Sequence, residues 1–232
     1  MNTVGIIGAM EVEVDTLKEH MKVRRTVQKA GMEFCEGVLS GQNVVVVESG
    51  IGKVNAAVCT QILIDDFEAD TIINTGIAGS LNAEINIGDI VVSTELVYHD
   101  VDATHFGYPH GQVPGMDVLA FPANERLRAI AKEACETANP EIQVFEGRIV
   151  SGDQFVADTE MKESILGKVG GFCTEMEGAA IAQASYLNKV PFVVLRAISD
   201  KADNSAPMDY PTFEAQAAQH CVKLVEEFLK RL

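Results

Sequence analysis

Val44-Val45-Val46-Val47-Glu48-Ser49-Gly50-Ile51-Gly52-Lys53-Val54 is the stretch on which the fold reading turns. Four β-branched residues in succession carry no polar alternation, so the strand they form needs cover on both faces, as a parallel strand between two helical layers has. The glycine turn that follows leads into a helix predicted over 54–67. The same succession recurs along the chain. Residues 4–8 precede a helical pattern on Met10, Val14, Leu17 and Met21, and the short strand 71–74 runs into a glycine loop, Thr75-Gly76-Ile77-Ala78-Gly79-Ser80. A further apolar run, 190–195, continues into Arg196-Ala197-Ile198-Ser199-Asp200. Glycine loops and acids gathered at the carboxyl ends of such strands line the ligand crevice of open α/β sheets.

The remaining chain fits around this frame. Two antiparallel strands, near 24–28 and 33–39, turn at Ala30-Gly31, and a strand at 90–98 is followed by a long Pro- and Gly-rich loop, 106–121, of the kind that serves function or covers an interface. A helix over 123–137, a strand over 142–150, an Ala-dense buried helix entered at Ala179, a turn at 207–211 and an amphipathic closing helix on Phe213, Ala217, Cys221, Leu224 and Phe228 complete the order. Mostly alternating β and α elements predict one α/β domain over 1–232, three layers αβα around a central mixed, twisted sheet.

The formal charge is 18 − 34 = −16, with the acids scattered instead of gathered in a tail. That argues against a nucleic-acid partner, which calls for clustered Lys and Arg. Five cysteines, widely spaced and without a Cys-x-x-Cys pair, read as reduced buried thiols. Met1-Asn2-Thr3 leads directly into an apolar strand with no leader pattern and no span long enough for a bilayer, which predicts no membrane partner and a cytoplasmic location. His99-Asp100-Val101-Asp102-Ala103-Thr104-His105-Phe106 invites a metal reading, but nothing nearby completes a ligand set, and no metal is expected. The Gly52-Lys53 pair is not a phosphate loop, because Val47 and Val54 occupy the places of its first Gly and its hydroxyl.

Three acids, Glu175, Glu177 and Asp200, fall close together in sequence. Glu175 and Glu177 at a helix start admit a capping reading as well as a ligand-site reading, and Glu13, in the first turn of its own helix, admits the same two. Phe155, just beyond a strand, fits either ordinary core or a stacking platform for a flat base.

Taken together, Gly5-Ile6-Ile7-Gly8-Ala9-Met10-Glu11-x-Glu13, Ser49-Gly50-Ile51-Gly52-Lys53-Val54, Asn74-Thr75-Gly76-x-Ala78-Gly79, Val150-Ser151-Gly152-Asp153-x-Phe155, Glu175-Met176-Glu177 and Arg196-Ala197-Ile198-Ser199-Asp200 closely resemble the bacterial 5′-methylthioadenosine/S-adenosylhomocysteine nucleosidases of the nucleoside phosphorylase superfamily. The resemblance runs from residue 4 to about 230. It implies hydrolysis of the N-glycosidic bond of methylthioadenosine, S-adenosylhomocysteine and 5′-deoxyadenosine to adenine and the ribose derivative, in methionine salvage and S-adenosylmethionine by-product recycling, without a cofactor. By position, Asp200 would protonate adenine N7 with Ser199 orienting it, Glu13 would activate the attacking water, and Glu177 would bind the ribose hydroxyls. Phe155 would stack on adenine, the backbone at Val156 would read its edge, and Met176 would lie against the sugar. Met10, Ile51, Ala78, Gly79 and Tyr210 would line the remaining pocket. Glu175 is grouped with these lining residues by place and read as structural in role. A homodimer is implied, with Ala103, Phe106 and Pro114 of one subunit completing the 5′-thio pocket of the other. Ile77 stands where relatives often have Ser, and Ala103 where Val is expected, which touches substrate range more than reaction.

Two other functions compete. A phosphate-dependent phosphorylase of the same fold would want cationic groups where this chain has Glu13 and the apolar Ile77-Ala78, and a carboxylate there repels phosphate. A non-catalytic nucleoside-binding protein would be expected to lack an acid or a base, yet Glu13, Glu177 and Asp200 are all present.

Overall fold

Val44 and Val46 pack into one hydrophobic core and Val45 and Val47 into another, all four fully buried, as a strand covered on both faces requires. Ile6 and Ile7 divide between the same two cores, as do Ile73 and Ile72 and then Val193 and Val194. The computed structural model describes residues 3–232; Met1 and Asn2, part of the expected leaderless start, lie outside them.

In chain order the elements are β1 (Thr3–Gly8), α1 (Glu11–His20), β2 (Lys22–Lys29), β3 (Met32–Leu39), β4 (Gln42–Glu48), α2 (Lys53–Phe67), β5 (Thr71–Ser80), β6 (Ile90–Tyr98), β7 (Phe121–Pro122), α3 (Glu125–Ala138), β8 (Val144–Ser151), α4 (Thr159–Lys168), β9 (Cys173–Glu175), α5 (Gly178–Asn188), β10 (Phe192–Asp200) and α6 (Ala206–Leu229). Helices α1, α3 and α6 cover one face of the sheet through Val14, Leu17, Leu127, Ala131, Leu224 and Phe228. The opposite face is covered by α2 and α5 through Ala56, Leu63, Phe67, Ala179 and Ile181. The fold is thus α/β, a mixed sheet between helical layers.

The sheet follows the order β10-β6-β8-β9-β5-β1-β4-β3-β2, and β10 also pairs with β5. Strand β5 therefore forks: β10 runs parallel to it from Ile72 to Gly79, while on its other edge Thr71–Asn74 run parallel to β1 and Gly79 and Ser80 pair antiparallel with β9. Strands β5, β10, β6, β8 and β9 close a small ring from which β1, β4, β3 and β2 extend as an open wing. The ring and wing together make up the mixed, twisted sheet expected from the sequence.

Two expectations are corrected. Residues 75–80 are not a loop but the second half of β5. Glycine serves there for close approach: a Cβ at Gly76 would lie 2.4 Å from Glu13 Oε1, and one at Gly79 would lie 2.8 Å from Asp200 Oδ1. Residues 207–211 are not a turn but the start of α6. Pro207 sits in the first turn, where an N–H has no intrahelical acceptor; Pro211 forgoes only the bond to the Pro207 carbonyl, against a long buried face that includes Ala217, Cys221, Leu224 and Phe228. Helix α4 had no counterpart in the sequence reading. Its signals were Asp158, which caps it by accepting from the Met161 N–H at 2.8 Å, and the spacing of Met161 and Ile165.

Candidate active site

The carboxyl ends of β1, β4, β5, β9 and β10 converge on a cavity of about 540 Å³. It is lined by Met10, Glu13, Ile51, Ala78, Gly79, Phe155, Glu175, Met176, Glu177, Ser199, Asp200 and Tyr210, so twelve residues expected from the sequence meet there. Val156 faces a small recess beside it, together with Gly79, Phe155, Thr174 and Asp200. Ala103, Phe106 and Pro114 do not line the cavity of their own chain; Ala103 is buried elsewhere and Phe106 is 79% exposed. The lining also includes Ala9, Ile77, Thr174, Pro207 and Pro211, which the sequence reading did not assign to ligand contact.

Glu13 is buried and caps its own helix, accepting from the Ala9 and Met10 N–H groups at 2.6 and 3.0 Å. It also accepts from the Ile77 N–H at 3.0 Å. Capping and site readings therefore hold together. An ionised carboxylate offers about four acceptor positions, so three amides leave one. Burial raises the Glu13 pKa, opposed by the Arg196 charge and by these backbone donors. Ile77, where Ser was expected, contributes its N–H to Glu13 while its side chain packs into the core.

Asp200 closes β10, past a register shift between Ile198 and Asp200 that turns its carboxyl toward Gly79. Oδ1 accepts from the Ala202 N–H at 2.8 Å and Oδ2 from the Ser199 hydroxyl at 2.9 Å. Ala202 holds a left-handed φ of 49°, the backbone bend that brings its amide back onto the acid. Burial lifts the Asp200 pKa, and Asp209 and Asp203 add to the rise against the two hydrogen bonds.

Between them, Glu177 accepts from the Gly52 N–H at 2.8 Å. It does not cap α5. That role falls to Glu175, which accepts from the N–H groups of Glu177 and Gly178 at 3.2 and 2.7 Å and from the Ser151 hydroxyl. Burial, then the neighbouring Glu175 charge, push the Glu177 pKa up to about 8. Beneath the three glutamates lies Arg196, 2% exposed, which pairs with Glu175 and donates to Asn74 Oδ1 at 2.6 Å and to the Leu195 carbonyl at 3.0 Å. Nothing local in the sequence assigns Arg196 or Asn74 a role; a cation inside an apolar strand is the available signal.

The Glu177 geometry yields a prediction. Its folded pKa lies above the unfolded value, so its stabilising neutral form is fully present below the ordinary carboxylate range and is lost as pH rises through about 8. Glu177→Gln is expected to raise the melting temperature relative to wild type progressively as pH rises from the ordinary carboxylate range to about 8, the gap levelling off above it. Thermal melts across pH 5–9 check it; a parallel pair of curves would contradict the assignment.

Among the described residues, no group of three or more His, Cys, Asp or Glu is arranged to hold a metal ion. An apolar cavity lined by three carboxyls whose pKa values burial raises, Glu13, Glu177 and Asp200, suits acid-base chemistry on a small neutral or cationic molecule. The chain belongs to the phosphorylase superfamily, whose family model matches residues 3–230. Its similarity within that superfamily is to the 5′-methylthioadenosine/S-adenosylhomocysteine nucleosidases. One from Exiguobacterium sp. is 46% identical over 230 residues, 99% of this chain and 98% of the relative. The crystal structure of another, from Colwellia psychrerythraea 34H in complex with adenine, superposes with a TM-score of 0.96 at 44% identity, covering 100% of this chain and 96% of that one. A third, from Neisseria meningitidis in complex with methylthio-immucillin-A, gives 0.96 at 42% identity over the whole of both chains.

Proposed function

We infer that this protein hydrolyses the N-glycosidic bond of 5′-methylthioadenosine and S-adenosylhomocysteine, releasing adenine and the corresponding thioribose. The observation that carries the reading is the placement of two carboxyls along β5. Glu13 abuts Gly76 and Asp200 abuts Gly79, three residues further, on the order of 10 Å along the strand. That separation accommodates the base and sugar of a nucleoside with an acid at one end and a water-holding base at the other.

In this reaction Asp200, whose pKa burial raises, acts as the acid and donates its proton to adenine N7. The base leaves as the C1′–N9 bond breaks with its electron pair, and positive charge develops on the ribosyl ring. Water held by Glu13 attacks C1′ and gives its proton to that carboxylate. Glu177 binds the ribose hydroxyls. Those donors, with the developing cation, favour its ionised form, so an acid that is neutral in the empty pocket becomes a negative group where the transition state needs one. Met10, Ile51 and Tyr210 bound the 5′ side, Met176 the sugar, and Phe155 stacks on the base that the Val156 backbone reads. The ligands of the Colwellia and Neisseria relatives support a nucleoside of this class.

The working unit is a homodimer in which Ala103, Phe106 and Pro114 of one subunit close the 5′ pocket of the other. The support is the exposure of Phe106, Ile51 (53%) and Val54 (75%), apolar groups that a second subunit would cover. Methylthioadenosine, S-adenosylhomocysteine and 5′-deoxyadenosine, with inosine as control, incubated with and without phosphate, are expected to give free adenine from the three adenosyl compounds independently of phosphate. Sugar 1-phosphate formation that depends on added phosphate would overturn hydrolysis, and a monomer with full turnover in analytical sedimentation would overturn the dimer.

A further inference from the structure

The His99–Phe106 segment and the Gly50–Lys53 turn are joined in the fold. Lys53 Nζ donates to Asp100 Oδ2 at 2.6 Å and lies 3.5 Å from Asp153 Oδ2. The Lys53 N–H donates to Asp153 Oδ1 at 2.9 Å, and the Asp153 N–H to Asp100 Oδ2 at 2.9 Å. Lys53 and Asp100 are mostly enclosed, their side chains 23% and 17% exposed, and the ammonium sits 5.4 Å from the centre of the Tyr98 ring. Consecutive amides at the start of α2 thus point to two carboxylates: Gly52 N–H to Glu177 inside the cavity and Lys53 N–H to Asp153 outside it. Gly52 has φ +98°, and a Cβ there would lie 3.2 Å from Asp153 Oδ1.

The three charged residues come from three walls of the site. Lys53 begins α2 beside the turn that holds Glu177. Asp153 belongs to the segment that carries Phe155 and Val156. Asp100 stands at the root of the loop that carries Ala103, Phe106 and Pro114.

We propose that Lys53, Asp100 and Asp153 form a positioning cluster for the sugar-binding carboxylate: by locking the Gly50–Lys53 turn to the base-binding segment, they aim the Gly52 N–H at Glu177 and fix the distance between the sugar and base walls. The chemical role of the cluster rests on the nucleosidase reading above; the geometric role does not. The Gly52 N–H apart, the charged groups that bear on Glu177 are Glu175 from β9, Arg196 from β10 and Glu13 from α1.

Lys53→Met is expected to lower kcat/KM for methylthioadenosine on the order of 10²-fold, the scale of a small misplacement of a positioned group. Lys53→Arg should restore most of that loss. The readout specific to positioning is the titration of Glu177, followed by carboxyl-carbon NMR on glutamate-labelled protein and assigned by its absence in Glu177→Gln. Losing a donor to the charged form moves the Glu177 titration to higher pH in Lys53→Met. Asp153→Asn is expected to move it the same way and serves where Lys53→Met does not fold. An unmoved Glu177 titration in a folded variant overturns the proposal whatever the activity. Absence of adenine release from wild type would instead overturn the nucleosidase reading and leave the titration as the test of the cluster.

Discussion

Asp200→Asn is expected to lower kcat for adenine release by about 10³-fold while the fold survives. The substitution removes the transferable proton and little else. An asparagine oxygen still accepts from the Ala202 N–H, now 2.8 Å from Oδ1, and its amide nitrogen can donate to the Ser199 hydroxyl, now 2.9 Å from Oδ2. Stability points the same way. Burial raises the Asp200 pKa, so the neutral acid is the form the folded site favours, and its contribution is present below the ordinary carboxylate range and lost as pH rises through the raised value. Asparagine mimics the neutral form and should melt at or above the wild-type temperature near neutrality. In wild type, kcat should fall as pH rises through the raised Asp200 value, and that limb should be missing from the variant. Steady-state adenine release against pH, beside a thermal melt, tests each part. Unchanged release from folded Asp200→Asn would remove this residue from the mechanism.

The largest effect on stability is expected at Arg196, which touches no ligand in the proposed reaction. Arg196→Met should destabilise the protein by about 3–5 kcal/mol near neutral pH, the range for stripping one partner from a buried ion pair. In a chain of this size that lowers the melting temperature on the order of 10 °C. Arg196 is the buried cation beneath Glu13, Glu175 and Glu177, and its guanidinium also satisfies Asn74 Oδ1 and the Leu195 carbonyl. Methionine fills much of the volume but leaves several acids with no counter-charge. Burial already raises Glu13 and Glu177 with Arg196 present, so removing the cation raises them further. Their neutral forms then carry the stability, which is retained in acid and lost as pH rises through the elevated values. The deficit of the variant should accordingly shrink toward pH 5 and grow toward pH 8. Urea unfolding at both pH values measures this, and a deficit independent of pH would show that packing, not charge, makes Arg196 matter.

The same region shows what could be read from the chain and what could not. The run Val44–Val47 announces a strand covered on both faces, because four β-branched residues without polar alternation leave no face for water, and the two cores divide these valines as that reading requires. Residues carrying chemistry also announce themselves: an acid at the end of an apolar strand, as at Asp200, is costly without a purpose. The prolines at 207 and 211 misled because local φ restriction signals a turn as readily as a helix start, and only the apolar face packed against the sheet chooses between them. Thr75–Ser80 misled for a related reason, since glycine reads as loop, whereas Gly76 and Gly79 lie in a strand to leave room for two carboxylates.

By itself, then, the sequence determined the layers, most of the alternation of elements and the identity of the acids, since these follow from local periodicity, side-chain chemistry and a motif set with a recognisable resemblance. The resemblance implied separate roles for those acids, but the environments that set them apart come only from tertiary structure. Glu175 became the cap of α5 and partner of Arg196, Glu177 the acceptor of the Gly52 N–H, Glu13 a carboxylate held by three amides, and Asp200 an acid whose pKa is raised beside Ser199 and Ala202. Four carboxyl groups with nearly the same intrinsic pKa acquire separate roles only through burial, donors and neighbouring charge, and those are set by residues brought together from as far apart as Glu13 and Asp200.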